Sequence, residues 1–281
     1  MFNFVSGLAL VERGVTEYQN QPVASRRKRK ETMTRYHILP AGIAAILLLN
    51  SACTHYYYAP NSLQTPFLQN RHDTRLSFGA VSGDEFSGLE AHAVYSPVKY
   101  GAVMVNYFRV HSSKTSDTEA DWGKGHLAEM ARGAYYPLGK HISFSFFTGL
   151  GKGRVLNSYE SGTSDMRFRR LFLQPSISFQ YKMVRAGLSW RMVRLEYVQG
   201  YIDYGIGEPH LGTIARIERN SPLWMPEAGF NFGFGTRPLW LNLFLNFNNS
   251  HLSEELSFAP LSTGISICFE LDQVLRKKKT R

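Results

Sequence analysis

From Arg75 onward, polar and apolar residues alternate with a period of two, interrupted by turn signals. Period two sends successive side chains to opposite faces of a sheet. The clearest case is 239–248, with Leu239, Leu241, Leu243, Leu245 and Phe247 on one face and Asn242, Asn246 and Asn248 on the other. The stretch 171–181 sets Leu171, Leu173, Ile177, Phe179 and Tyr181 against Gln174, Ser176, Ser178 and Gln180, with Phe172 among the latter. Segments 141–150 and 261–271 repeat the pattern, Ile142, Phe144 and Phe146 against Ser143 and Ser145, and Ile265, Ile267 and Phe269 against Ser266 and Glu270. The pattern predicts about ten strands, at 75–82, 88–97, 101–112, 125–137, 141–155, 168–182, 184–198, 223–235, 239–249 and 260–271. Each exceeds or approaches the roughly 9–11 residues that cross a bilayer at a tilt.

The connections sort by length. Short turns are expected at 97–100, 138–140, 182–183 and 236–238, and mostly longer, more polar loops near 83–87, 113–124, 156–167, 199–222 and 250–258. Short and long connections in alternation, with an even strand count, mark an outer-membrane barrel. The fold class expected is therefore all-β, a closed antiparallel transmembrane β-barrel spanning 75–271. A soluble sandwich or lipocalin-like lipoprotein stays open, because periodicity does not say which face is outside. Strand length favours the membrane, since soluble strands average five or six residues. So do aromatic residues near strand ends, namely Tyr95, Tyr100, Tyr107, Tyr135, Tyr136, Tyr181, Trp190, Trp224 and Trp240, which suit interfacial girdles.

Upstream of the strands, Arg35 precedes an apolar run, Ile38 to Leu49, and a small-residue step, Ser51-Ala52, into Cys53. A cationic start, a short apolar core and small residues before cleavage make a secretory signal, too short to span a bilayer. The ending Leu-x-Ser-Ala-Cys reads as a lipobox, with Cys53 acylated after cleavage. Asn50 departs from the usual apolar residue three places before the cysteine. Residues 1–52 are thus a presequence; Met33 offers a compact alternative start. Residues 53–74 follow as an extended tether broken by Pro60, Asn61 and Pro66. A lipid at Cys53 would fix the short turns to the periplasmic side, with the anchor in the inner leaflet of the outer membrane. An uncleaved signal anchor, an ordinary signal with an incidental cysteine, and a Cys53–Cys268 disulfide are the competing readings.

The phrase that opens the tether, Cys53-Thr-His-Tyr-Tyr-Tyr-Ala-Pro-Asn61, resembles the start of the mature chain in an uncharacterised family of outer-membrane β-barrel lipoproteins of Bacteroidota-type bacteria. The likeness is close over 53 to about 68 and lies only in pattern beyond. It implies a place, the cell outer membrane, and a fold, but no reaction.

Charge adds little. Of the net +10, the presequence contributes +4 and the basic tail 272–281 another +4, leaving +2 for 53–271, so nucleic acid is not an expected partner. The two cysteines fit no zinc spacing and no cofactor motif stands out. If the apolar faces meet lipid, the lumen receives Glu90, His92, Gln174, Gln180, Arg185, Arg191, Glu227, Asn231, Asn242, Asn246 and Glu270. In a barrel this narrow, Glu90, His92, Arg185, Arg191, Glu227 and Glu270 should form a polar network, because an unpaired buried charge is costly. The glycines of 149–153 are read as easing barrel curvature.

Three roles are expected. The first is a structural or surface-interaction barrel that meets outer-membrane lipid and offers loop 199–222 to an extracellular ligand or protein. The second is a narrow solute channel lined by the same polar residues. The third, an outer-membrane rim hydrolase, has weak support. The candidate loops offer Asp117, Asp121, His111, His126, Asp203, Glu208 and His210, but no Asp-Asp or Asp-His pair. The reading is therefore not an enzyme.

Overall fold

The computed structural model describes residues 55–83, 86–113, 122–159, 162–202, 210–248 and 261–272. Cys53, the presequence with Met33, and the tail beyond Asp272 lie outside the described residues. The strands are β1 (Thr74–Gly83), β2 (Ser87–Val98), β3 (Gly101–Ser113), β4 (Trp122–Pro137), β5 (Ile142–Tyr159), β6 (Gly162–Tyr181), β7 (Val184–Ile202), β8 (Leu223–Thr236), β9 (Leu239–Asn248) and β10 (Leu261–Glu270). Between β7 and β8 lies a helix, α1 (His210–Asn220). Each strand pairs antiparallel with its sequence neighbours, and β1 pairs with β10 from Arg75↔Glu270 to Gly83↔Ser262. Closure leaves no strand edge unpaired, which a membrane interior requires.

The exposed and buried faces settle what periodicity leaves open. Along β9, Leu241 and Leu245 are exposed on the outside, while Asn242 and Asn246 are buried within. The apolar face is therefore outside and the polar face inside, the reverse of a soluble sandwich or lipocalin. The same holds on β6, where Leu171, Leu173, Ile177 and Phe179 face out and Arg170, Gln174, Ser176 and Ser178 face in. A lipid environment is the physical explanation for an exposed belt of Leu, Ile and Phe. Two of the aromatic residues expected in the girdles instead point inward. Tyr135 bonds Ser96 Oγ at 3.0 Å, and Trp240 lies under Arg185, 4.7 Å from its ring centre.

The connections differ from expectation on one side. At the end where β1 starts, the turns are short throughout, including 99–100 and 182–183. At the other end, 203–222 and 249–260 are long, but β5 and β6 are joined by only 160–161. The polar stretch 156–167 is not a loop: its ladder continues through Val155↔Met166, Asn157↔Ser164 and Tyr159↔Gly162. Strand pairing is a backbone property, and above the hydrocarbon the outer face no longer has to be apolar. Alternation therefore fades while the strand goes on. Loop 199–222 is likewise part strand, to Ile202, and part helix. In α1 the apolar residues Ile214 and Ile217 sit three apart on one face and are fully buried.

A charge on the outer face tests the membrane assignment. Leu243→Arg, near mid-strand on β9, should lower the unfolding free energy in lipid vesicles by about 2–4 kcal/mol. A variant as stable as the parent would place this face outside the hydrocarbon.

Candidate functional site

Residues 55–73 form no regular element, as expected of a tether, but they are not outside the barrel. Tyr56 through Leu68 are all buried, and their partners are the inward side chains of the strands. This segment, here the strap, threads the lumen from the long-loop end to the short-turn end, where it turns into β1.

At the long-loop end, His55 stacks on Tyr159 at 4.2 Å between ring centres and meets His210 of α1 edge-on at 5.2 Å. Its Nε2 lies 2.7 Å from Ser158 O. Tyr56 donates to Val110 O at 3.3 Å, and its own carbonyl accepts from Asn157 Nδ2 at 3.0 Å. Gly123 makes room for this ring; a Cβ there would stand 2.8 Å from Tyr56 Cε1. Tyr197 Oη donates to Tyr57 O at 2.9 Å. Ile214 and Ile217 of α1 join Tyr56, Tyr57 and Tyr58 in one apolar cluster, so the helix lies over the strap's upper end.

Midway, the strap enters an ionic cluster. Arg170 on β6 pairs with Glu129 of β4 at 2.9 Å and Glu227 of β8 at 3.6 Å, and Arg191 of β7 lies 3.4 Å from Glu227. Tyr58 inserts its hydroxyl here, donating to Glu227 at 3.0 Å and accepting from Arg170 at 2.5 Å. Asn61 bridges the opposite signs: Nδ2 donates to Glu129 at 2.7 Å and Oδ1 accepts from Arg191 at 3.0 Å. Gln174 accepts from Arg191 at 2.8 and 2.9 Å. Gly151 on β5 leaves space beside the Arg170–Glu129 pair, since a Cβ there would be 3.0 Å from both side chains. The glycines of 149–153 thus serve packing in the lumen.

Below, Glu90 is held by the strap alone among its described bonds. It accepts from Ser62 N at 3.1 Å, Ser62 Oγ, and Gln64 Nε2 at 2.8 Å. Asn246 and Asn231 take the Leu63 backbone, accepting from its N–H at 3.0 Å and donating to its carbonyl at 2.7 Å. At the short-turn end, Glu270 meets Arg75 at 2.7 Å, Arg185 at 3.7 Å and Arg237 at 3.1 Å. Asn242 accepts from Arg185 at 2.6 and 2.9 Å. Phe67, at φ 51°, places its ring 4.7 Å from the Arg185 guanidinium. The left-handed backbone there costs about 1–2 kcal/mol, which the ring contact offsets in part.

All six expected network residues are therefore inside, but not as one network. Arg191 joins Glu227 and Arg185 joins Glu270, whereas Glu90 binds the strap. His92 is buried, and its Nε2 finds no hydrogen-bond partner among the described residues. Three members are additional to the expected set, Arg75, Glu129 and Arg170. Parity would have revealed Arg170, which shares a face with Phe172 and Gln174. Buried in the strand lumen are four arginines and four glutamates, so the interior charge balances. Free Cys268 faces inward near the short-turn end, paired in register with Ser77 and Trp240. His55 lies at the long-loop end, whereas Cys53, the other half of the disulfide considered, lies outside the described residues.

Of the residues considered for hydrolysis, His111 and His126 are exposed and His210 opens α1; Asp117, Asp121, Asp203 and Glu208 lie outside the described residues. Among the described residues no group of three His, Cys, Asp or Glu is placed to hold a metal.

No family model matches the chain, and no curated protein matches it. Among solved structures it is similar to the translocator domain of autotransporter NalP from Neisseria meningitidis, at 9% identity and a TM-score of 0.34, covering 73% of this chain and 90% of that one. It is also similar to CdiB from Acinetobacter baumannii, at 7% identity and a TM-score of 0.23, covering 72% and 60%. The barrel assignment rests on the strand ladder itself.

Removing one side of the central cluster strands a buried charge. Glu129→Ala should cost about 3–5 kcal/mol in vesicle unfolding. Glu90→Ala should cost less, and its effect should vanish in a chain lacking residues 55–66. Equal Glu90→Ala effects with and without the strap would refute the pairing, in a double-mutant cycle.

Proposed function

We propose that this protein is a sealed, lipid-anchored outer-membrane barrel with a structural and surface-presenting role. The observation that carries the reading is the strap. A barrel used as a solute path keeps its lumen open, whereas here Tyr58, Asn61, Ser62, Leu63 and Gln64 fill it and bond its polar wall. The narrow-channel alternative loses support accordingly.

The strap also revises where the anchor sits. An even number of strands would return a free tether to the side of the short turns. The strap adds one further crossing, so His55 lies at the long-loop end. Short turns face the periplasm in outer-membrane barrels, which makes the long-loop end the cell exterior. Cys53 then carries its acyl group in the outer leaflet, within about 7 Å of His55 along the chain. The surface offered to a partner is the outer side of α1 in 199–222, with Arg216, Glu218 and Arg219 exposed.

Planar-bilayer recording tests the sealed lumen. The parent should be silent, and deletion of 55–66 should produce discrete conductance. Gly229→Leu should do the same without deletion, because a Cβ at that site would already stand 2.6 Å from Leu63 Cβ. An ohmic current through the parent would refute the seal. For orientation, a protease site inserted between Thr54 and His55 should be cut on intact cells; protection until the membrane is permeabilised would return the anchor to the inner side. Cys53→Ser should lose radiolabelled acyl chains yet remain with the outer membrane, held by the barrel.

A further inference from the structure

The outer wall of β3 to β6 carries a feature unrelated to the strap. On β5 the outward positions run Ile142, Phe144, Phe146, Thr148 and Leu150 from the short-turn end, then change to Lys152 and Arg154. On β6 the same change falls between Leu171 and Arg169. On β3 it falls between Tyr107 and Arg109. The strand register aligns these basic residues laterally, with His126 of β4 among them. Arg109 is opposite His126, His126 opposite Arg154, and Arg154 opposite Arg167, one row across four strands. Lys152 is opposite Arg169 beside it. On β8, β9, β10, β1 and β2 the outward strand positions hold no cation.

Like charges directly opposite one another in a sheet are destabilising, and a merely solvated surface mixes its signs. Among the described residues, Asp165 grips Arg154 at 2.7 and 2.8 Å and lies 3.8 Å from Arg167, and Glu196 of β7 stands opposite Arg169, whereas Arg109 stands between Leu89 and His126 and Lys124 between His111 and Leu156. Cross-strand neighbours stand about 5 Å apart, close enough for one phosphate to bridge two of them. The surface is also grooved in the right places. A groove of about 260 Å³ runs between Arg109, Lys124, His126 and Arg154. Toward the short turns, a second groove of about 600 Å³ is lined by Val105, Met130, Leu150 and Leu171, with Arg132 at its side.

We propose that this wall binds a phosphorylated, acylated glycolipid of the outer leaflet. Its phosphate lies among Arg109, Lys124, His126 and Arg154, and an acyl chain occupies the apolar groove beneath. Arg109, Lys124 and Arg154 sit at the upper edge of the apolar belt, the height at which outer-leaflet headgroups meet the barrel, while Arg132 lies lower, between Val103 and Thr148. Arginine suits this role because its planar fork binds phosphate through paired hydrogen bonds. The source of the lipid, though not the groove itself, rests on the orientation proposed above.

Native mass spectrometry of the detergent-purified full chain provides the test, with bisphosphorylated lipid A as probe. One lipid A should be retained per barrel. Retention should fall about tenfold or more in the Arg109→Gln/Lys124→Gln/Arg154→Gln variant, since charge-assisted hydrogen bonds to the phosphate are lost. Lys140→Gln, in a short turn, should leave it unchanged. Enzymatically dephosphorylated lipid A should bind as weakly as the triple variant, and inorganic phosphate should compete only at far higher concentration. Equal retention by parent and triple variant overturns the site. Equal binding of phosphatidylglycerol overturns the glycolipid and leaves only a nonspecific anionic belt. Both of these outcomes are independent of the protease-site result. Retained lipid A with a protected site at Thr54–His55 overturns the outer-leaflet source.

Discussion

The interior of this barrel depends on one arrangement, two arginines and two glutamates in direct ion pairs and bridged by a neutral strap. Ten strands enclose a lumen wider than the eight-stranded case, which side chains alone just fill. Here the inward set includes long ionic groups, and an ionic group without partners in that space is expensive. Tyr58 and Asn61 address both difficulties at once. They occupy the central space, and each bonds a carboxylate and a guanidinium in the same place. A second arginine or glutamate in their position would upset the charge balance of four against four; an aliphatic residue would leave lone pairs unmet.

The same logic explains what the sequence disclosed and what it hid. Strands were legible wherever the outer face touches hydrocarbon, as on β9, because the lipid imposes alternation there. They became illegible above it, as at 156–167, where the outer face answers only to water. Glu129 was obscured by its setting among Gly125, Ala128, Ala131 and Gly133, small residues that blur the period. Helix α1 was hidden in a loop because it offers barely one apolar stripe, Leu211, Ile214 and Ile217. The strap's place has a signal in the sequence: between Thr54 and Asn70 there is no Asp, Glu, Lys or Arg. A tether in water has no reason to avoid charge for so long, whereas a segment destined for a charge-balanced lumen has a strong one.

Position in the lumen also changes topology by a parity argument that strand counting alone misses. Ten crossings bring a chain back to its starting side; the strap is an eleventh. The residue before β1 lies with the short turns, while the residue at the start of the strap lies with the long loops. Inference of leaflet from strand number therefore holds only when the segment outside the ladder is known to remain outside the barrel.

The outer wall makes the corresponding demand on its surroundings. The lumen's charges are neutralised from within, by partners fixed in the fold. The cations of β3 to β6 meet fewer partners among the described residues: Asp165 answers Arg154 and lies near Arg167, Glu196 stands opposite Arg169, and Arg109 stands opposite His126. A protein that balances its interior charge so closely, yet gathers cations on one exterior face at the edge of the hydrocarbon, invites anions from the membrane. Five of the ten strands stay free of outward cations, so the membrane is asked for them on one side only. A bound lipid there and an acyl chain at Cys53 would hold the same end of the barrel in the same leaflet by two unrelated means.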